Sequence, residues 1–337
     1  MNPKLIKFLK IILPFMLGVF LIWYFLSSAT PEYRTQLLQN IKNADPIWVL
    51  ISLSLGIISH LSRAYRWKFL LNPLGYNPKL YNSFMAVMVG YLANLGVPRS
   101  GEVLRGFTAS TYEKIPFEKA FGTIVSERII DLIMLILITT MAGIIQTEYL
   151  LNFLEEKNIN PLLTLGIVLS LIFIGFLGLQ VLKKSSNKWI VKIRDFGMGL
   201  LDGMKSIFSM KQKWAFLFHT ILIWFLYVLM FYVVKFAVPN LDNASIGVIL
   251  VAFVVGSFSM STTNGGIGIL PFPIVVGAVF VFFGFEKSNG EAFGWILWGS
   301  QTAINIIVGA LSFLFLPILN RGKKHNQKKI NPLETID

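Results

Sequence analysis

The chain has 337 residues, of which 55% are hydrophobic and 14% are charged, and its mean hydropathy is +0.66. Long apolar runs joined by short charged links are typical of a polytopic membrane protein and exclude a water-soluble globular architecture. The net charge of +13 lies mostly at the chain ends and in selected loops, which fits membrane topology and argues against a nucleic-acid partner, while the lack of cysteine excludes disulfides and thiolate metal ligands.

Eight apolar runs predict transmembrane helices, so we expect an all-α membrane helix bundle over 1–320 and a basic tail over 321–337. The predicted spans cover about 11–26, 47–62, 124–145, 161–182, 214–236, 246–260, 267–285 and 293–319. The first run is also compatible with a cleaved signal peptide. Trp23 and Tyr24 favour an uncleaved span, because aromatic residues anchor helices at the membrane interface.

The charged links predict the orientation of these spans. Span two ends in Arg63, Arg66 and Lys68, which we interpret as a positive flank on the cytoplasmic side. The link over 146–160 is acidic and is predicted to be external, whereas the link over 183–213 and the C-terminal tail are rich in lysine and are predicted to be cytoplasmic. Both termini are therefore predicted to lie in the cytoplasm.

Residues 80–112 must contain an even number of crossings if the flanking links are both cytoplasmic. The apolar run over 81–95 is short for a full crossing, and a polar segment follows it directly. We therefore predict a re-entrant helical hairpin. One helix enters from the cytoplasmic side, the chain turns at Gly96-Val97-Pro98, and a polar helix returns from Ser100.

The turn of this hairpin contains the first candidate site. Arg99, Glu102 and Arg105 are three residues apart, a spacing that places them near one face of a helix, and guanidinium groups match the geometry of phosphate. Gly101 permits a close approach of backbone to a ligand, and the amides at the helix start attract anions. Alternatively, this is an interfacial loop whose arginines reach lipid phosphates without any role in transport.

Two further motifs carry polar groups within apolar sequence. Span three opens with Glu127, Arg128 and Asp131, which form either a structural ion network or part of a polar cavity. Between spans six and seven, the segment 261–268 holds hydroxyls, Asn264 and three glycines. It predicts a broken helix or a second hairpin tip, with a plain tight loop as the alternative. Two glycine-interrupted segments in separate halves of a chain are typical of transporter binding sites.

With these motifs the chain resembles the family of the lysylphosphatidylglycerol synthase transmembrane region, also called the flippase-like domain family. The resemblance covers roughly residues 10–319. It is carried by Asn94 with Pro98-Arg99-Ser100-Gly101-Glu102 and Arg105, by Glu127-Arg128 with Asp131, and by Gly265-Gly266-Ile267-Gly268. It implies a protein of the bacterial cytoplasmic (inner) membrane that takes part in the traffic of lipids or lipid-linked precursors.

Two departures limit what the resemblance implies. No soluble synthase domain follows residue 319, so aminoacyl transfer is not expected of this chain. Many relatives carry a proline before the glycines of the third motif and an acid after them, where this chain has Asn264 and Leu270-Pro271. A contact between that acid and a head-group amine is therefore not expected here.

The sequence favours a flippase-like transporter that moves a phospholipid or lipid-linked precursor, anionic or aminoacylated, between leaflets. The alternatives are a non-transporting subunit that scaffolds or regulates a separate lipid enzyme, and an intramembrane enzyme, for which no nucleophile or metal set is legible. We expect no catalytic residues, metal or cofactor. The residues expected to contact the head group are Asn94, Arg99, Gly101, Glu102, Arg105, Glu127, Arg128, Asp131, Asn264, Gly265, Gly266 and Gly268.

Overall fold

A computed structural model describes residues 29–97, 99–156, 210–263 and 271–321, together with the single positions 23, 27, 160, 163, 166, 170 and 266. Within these residues every regular element is helical. Contacts divide the chain into two compact units, where the sequence suggested one membrane domain. Unit 1 comprises Met1–Ile124 with Trp214–Asp337, and unit 2 comprises Val125–Lys213.

The described helices, with a short 3₁₀ turn at Asn72–Leu74 after the second, are α1 Pro31–Lys42, α2 Pro46–Leu71, α3 Leu80–Gly96, α4 Ser100–Glu113, α5 Phe117–Ile145, α6 Thr147–Glu156, α7 Lys213–Val234, α8 Ile246–Thr262, α9 Phe272–Phe282 and α10 Lys287–Leu319. Four of them, α2 with its 3₁₀ extension, α5, α7 and α10, are long and apolar enough to cross a membrane. The all-helical membrane architecture is thereby confirmed. The predicted spans 11–26 and 161–182 fall almost wholly outside the described residues.

Helix α2 extends beyond the predicted end of span two. It continues without a break to Leu71, because the first helix-stopping sequence is Asn72-Pro73. Arg63 and Arg66, which the sequence indicates as a positive flank after the span, therefore lie inside the helix and are only 3% and 0% exposed. Their positive charge belongs to the interior of unit 1.

Helix α9 is shorter than the predicted span 267–285, whereas α8 extends two residues beyond the predicted span 246–260. They contain 17 (α8) and 11 (α9) residues, about 25 and 16 Å of helix, against a hydrocarbon core of about 30 Å. Prolines explain the late start of α9 at Phe272, since Pro271 precedes the helix and Pro273 lies in its first turn. The left-handed Gly284, at φ +85°, follows its end.

Helices α3 and α4 form an antiparallel hairpin. At its base, the amide of Asn82 donates to Glu113 and, at 3.1 Å, to Asn320 at the end of α10. Further along, the two backbones are in direct contact at Gly90 and Gly101. The approach is so close that a Cβ added to Gly101 would lie 2.1 Å from the carbonyl oxygen of Gly90. The Asn94 side chain accepts the Gly101 N–H at 2.7 Å and so satisfies an amide at the start of α4.

The contacts of α3 with α10 fix the depth of the hairpin. Asn82 lies opposite Asn320, and a Cβ on Gly309 would lie 2.8 Å from Leu92 Cβ and 2.9 Å from the Met88 carbonyl oxygen. If this antiparallel register continues beyond Leu92, the hairpin turn is expected beside the middle of α10, near residues 301–305. A hairpin that ends halfway along a long apolar helix has the shape of a re-entrant segment. Its position in the membrane stays a prediction.

The break between α8 and α9 also meets α10 near its middle. Helix α9 packs closely on α10, where a Cβ on Gly294 would lie 2.6 Å from the Pro273 carbonyl oxygen. At the break, Gly266 has φ +83°, and a Cβ there would lie 2.7 Å from Trp298 Nε1. The second break therefore meets α10 close to the stretch where the hairpin turn is expected.

Helix α1 packs on the first turns of α10 through polar side chains. The Tyr33 hydroxyl donates to Glu291, and Asn40 donates to Asn289 at 2.6 Å. Burial raises the pKa of Tyr33, and the hydrogen bond to Glu291 raises it further, so this phenol stays protonated and acts as the donor.

The contact between Gly90 and Gly101 gives a test of the hairpin. Gly101→Ala should lower the unfolding temperature of the protein in detergent by several degrees, because an overpacked contact costs about 1–3 kcal/mol. Gly96→Ala is the matched control, since a Cβ there meets no atom within 4 Å. Equal unfolding temperatures for the two variants would contradict the packing described.

Candidate functional site

Arg105 is a predicted site residue whose charged side chain is buried in unit 1. Helix α4 places it on its buried face, 3% exposed, with the guanidinium carbon 4.0 Å from the ring centroid of Trp67 on α2. The Trp67 indole N–H donates to Thr123 Oγ1 at 2.8 Å, which orients the ring. A cation over an aromatic face is attracted by about 0.5–2 kcal/mol, so this contact joins α2, α4 and the start of α5.

Two further guanidinium groups come from α2. Arg66 donates to Thr220 Oγ1 at 3.1 Å and lies 5.4 Å from the centroid of the Phe216 ring. One turn earlier, Arg63 donates to the Tyr227 hydroxyl at 3.3 Å. We call Arg63, Arg66 and Arg105 the arginine cluster. Buried guanidinium groups are stable only beside anionic or hydrogen-bonding groups, which protein or ligand can supply, and their planar donors match phosphate.

The hairpin turn places the other two charged residues of the first motif differently. Arg99 is exposed and left-handed, at φ 60° and ψ 14°, and helix α4 begins only after it. Glu102 is half-buried in the first turn of that helix. Arg99 and Arg105, predicted to share one face, therefore lie in different surroundings, with Arg99 at the turn and Arg105 in the interior.

Asn94 and Gly101 hold the hairpin together. The Gly101 N–H, which the sequence suggested as an anion donor, is already bonded to Asn94 Oδ1 at 2.7 Å. The Ser100 hydroxyl likewise donates to the Ala93 carbonyl at 3.0 Å. Asn94 and Gly101 therefore have a structural role, because the bond between them helps to position Arg99 and Glu102.

The second motif lies in unit 2. Glu127 is fully buried and Asp131 is 7% exposed. Arg128 is half-exposed and approaches Asp131 at 3.7 Å, one turn along the same helix. This pair agrees with the interpretation of the motif as a structural ion network.

Of the site residues predicted in the third motif, the structure describes only Gly266. Its left-handed backbone and its contact with Trp298 require glycine, because any Cβ would meet the indole nitrogen. Asn264, Gly265 and Gly268 lie outside the described residues.

The sequence interpretation missed the contribution of α2. The spacing of His60, Arg63 and Arg66, three residues apart with no helix breaker before Asn72-Pro73, is the signal that could have placed these residues on one helical face. Trp67 carried no such signal, since a tryptophan near a span end is typical of an interface anchor. In the part of the chain that the structure describes, no cluster of His, Asp and Glu could hold a metal ion.

Comparison with known proteins gives one family. The family described as Lysylphosphatidylglycerol synthase TM region matches residues 11–309. A UPF0104 membrane protein of Methanocaldococcus jannaschii is 35% identical over 92 residues, which are 26% of this chain and 27% of that protein. The glycosyltransferase AglD of Haloferax volcanii is 28% identical over 104 residues, which are 31% of this chain and 16% of that protein.

The matched segments thus span about a quarter and about a sixth of the length of these two relatives. No solved structure matches the chain significantly. The family match covers most of the sequence and agrees with the apolar helices of the structure, so this chain is an integral membrane protein that belongs to the family of the Lysylphosphatidylglycerol synthase TM region.

Proposed function

We propose that this protein is a flippase-like transporter that moves a phospholipid or lipid-linked precursor between the leaflets of its membrane. The observation that carries the proposal is the arginine cluster, in which Arg66 and Arg105 are both buried and Arg105 lies over the Trp67 ring. Positive charge inside a membrane protein is expensive and generally marks a functional path.

The cluster suits the phosphate of a lipid head group. A charged head group crosses a bilayer slowly because it must leave water, and a protein accelerates the crossing by offering replaceable polar contacts. Guanidinium groups bind phosphate oxygens through paired donors. The acyl chains remain in the surrounding lipid while the head group passes through the protein.

The hairpin turn supplies a first contact. Arg99 is exposed at the turn, and Glu102 follows it at the start of α4, so a phosphate can meet Arg99 before it reaches Arg105. The left-handed backbone of Arg99 costs about 1–2 kcal/mol relative to the right-handed region. A strained cationic residue at a helix turn is consistent with a role in ligand contact.

Leaflet exchange tests the function. Purified protein in liposomes should equilibrate a fluorescent phospholipid between leaflets faster than empty liposomes do, measured by quenching of the outer leaflet. The panel should include anionic and zwitterionic phospholipids and a lipid-linked sugar, since one relative is named a glycosyltransferase. Rates equal to those of empty liposomes for every lipid would contradict transport, and a co-purifying lipid enzyme would then favour the subunit alternative.

Arg105→Ala should slow this exchange about ten- to a hundredfold, because a hydrogen bond to a charged group is worth about 1.5–3 kcal/mol. Arg34→Ala, which removes an exposed arginine from α1, is the control and should keep the wild-type rate. Wild-type exchange by the Arg105 variant would remove this residue from the path.

Arg99 and Lys114, at the two ends of α4, are both basic residues with a left-handed backbone. Comparing them separates the effect of the Arg99 charge on transport from the effect of its backbone strain on stability. Arg99→Gly and Lys114→Gly both relieve a positive φ, of 60° and 58° respectively, so neither variant should unfold at a lower temperature than the wild type. Only Arg99→Gly should slow lipid exchange. Equal exchange rates in the two variants would show that the Arg99 charge is not used.

A further inference from the structure

A row of polar side chains crosses the interior of unit 1 beyond the turn of the hairpin. Gln301 and Asn305 lie one helical turn apart in the middle of α10, whose neighbouring sequence is apolar. The Gln301 amide donates to the Ser52 carbonyl oxygen at 3.2 Å and lies 3.4 Å from the Ser52 hydroxyl. Ser52 is fully buried, so these bonds join α2 and α10 inside the bundle.

The row continues along one face of α2 to the arginine cluster. The Tyr91 ring of α3 stacks on His60 with the ring centroids 4.5 Å apart. The Tyr91 hydroxyl lies 3.4 Å from the hydroxyl of Tyr227, to which Arg63 donates at 3.3 Å. From Ser52 to Arg66 the helix rises about 21 Å, roughly two thirds of the hydrocarbon thickness of a bilayer.

Two atoms in this row make no hydrogen bond of normal geometry: Nδ1 of His60, a side chain that is 5% exposed, and the side-chain oxygen of Asn305. The two side chains interact with each other, but only as a loose pair. A poorly formed hydrogen bond between buried groups leaves part of their desolvation cost of about 1–3 kcal/mol in place, and a polar molecule that enters beside them would pair with both. Both atoms lie in the same stretch of the interior as the bonds between α2 and α10.

The row also lies near the second helix break, where Gly266 contacts Trp298, one turn before Gln301. The register of the hairpin on α10 leads us to expect its turn at a similar level. Interrupted helices around a polar site near the membrane midplane are a recurrent feature of transporters. The polar row therefore lies one helical turn from the second helix break, and the hairpin turn is expected beside it.

We propose that this row is a head-group binding site near the middle of the membrane, which takes the phosphate of an anionic lipid as it passes between leaflets. The site comprises Ser52, His60, Arg63, Tyr91, Gln301 and Asn305. Arg63 binds phosphate oxygens, and the amides, hydroxyls and imidazole bind the remaining oxygens. The role in transport rests on the proposed function, whereas the site itself is testable separately.

The competing explanation is that these bonds only hold the helices together. Polar side chains do join helices in membranes, at about 0.6 kcal/mol for each bond. The two explanations differ in one property, because a head-group site must admit water and small polar solutes, whereas a purely structural contact excludes them.

The rate at which a water-soluble reagent reaches the row distinguishes a head-group site from a purely structural contact. The chain contains no cysteine, so single cysteines can be introduced without further changes. Ser52 is buried on the inner face of α2, and Ser54 is exposed on its outer face two residues later, which makes a matched pair at nearly the same depth. In proteoliposomes, Ser52→Cys should react with a charged methanethiosulfonate at least about tenfold faster than Ser54→Cys, since a thiol in hydrocarbon stays protonated. Equal rates, or no reaction at Ser52→Cys, would overturn the proposed site.

Exchange measurements then distinguish the site from the function. Gln301→Leu should slow exchange of an anionic phospholipid by about tenfold, the loss of roughly 1.4 kcal/mol, with its unfolding temperature within a few degrees of the wild type. Suppose that the wild type exchanges lipid, and that Gln301→Leu and the thiol-modified Ser52→Cys exchange it at the same rate as the wild type. The site is then refuted and the proposed function stands. If the wild type exchanges none of the panel, the proposed function fails, and the head-group role of this row fails with it.

Discussion

Burial of positive charge is the constraint on which the interior of this protein depends. Arg105 lies over the face of Trp67, and Arg66 lies beside Phe216 and Thr220, all within a bundle whose outer surface is apolar. A guanidinium group loses strong hydration when it enters such surroundings, so aromatic faces, hydroxyls and other protein groups have to replace it. The surrounding helices therefore have to hold these groups in fixed positions.

The helix hairpin and the second helix break follow from the same requirement. A polar backbone at membrane depth is tolerated only where protein covers it or where it lines a polar cavity. Here the turn after α3 is secured by the bond from Gly101 to Asn94, and Gly266 is covered by Trp298. Gly266 lies beside the middle of α10, which carries Gln301 and Asn305 one to two turns further on. Helix α3 packs on the same long helix through Asn82, Met88 and Leu92, so α10 contacts both short helix pairs.

The sequence was sufficient for the helical class, for the family and for a helix pair around Gly96, because these depend on hydropathy and on local turn residues. It was not sufficient for the arginine cluster. Lysine and arginine at the end of an apolar run are usually a topological signal, and only the tertiary structure shows that α2 continues to Leu71 with Arg63 and Arg66 buried. Similarly, the length of α9 depends on the position of prolines relative to its packing on α10, which a hydropathy window does not detect.

The most direct measurement of the central claim is the binding of a short-chain anionic phospholipid to the purified protein in neutral detergent, monitored by the unfolding temperature. A ligand that binds only the folded state raises this temperature as its concentration increases. The account predicts a rise for the wild type that is largely lost in Arg105→Ala and retained in Arg34→Ala. An equal rise in all three proteins would contradict the assignment of the arginine cluster as the site of the lipid phosphate.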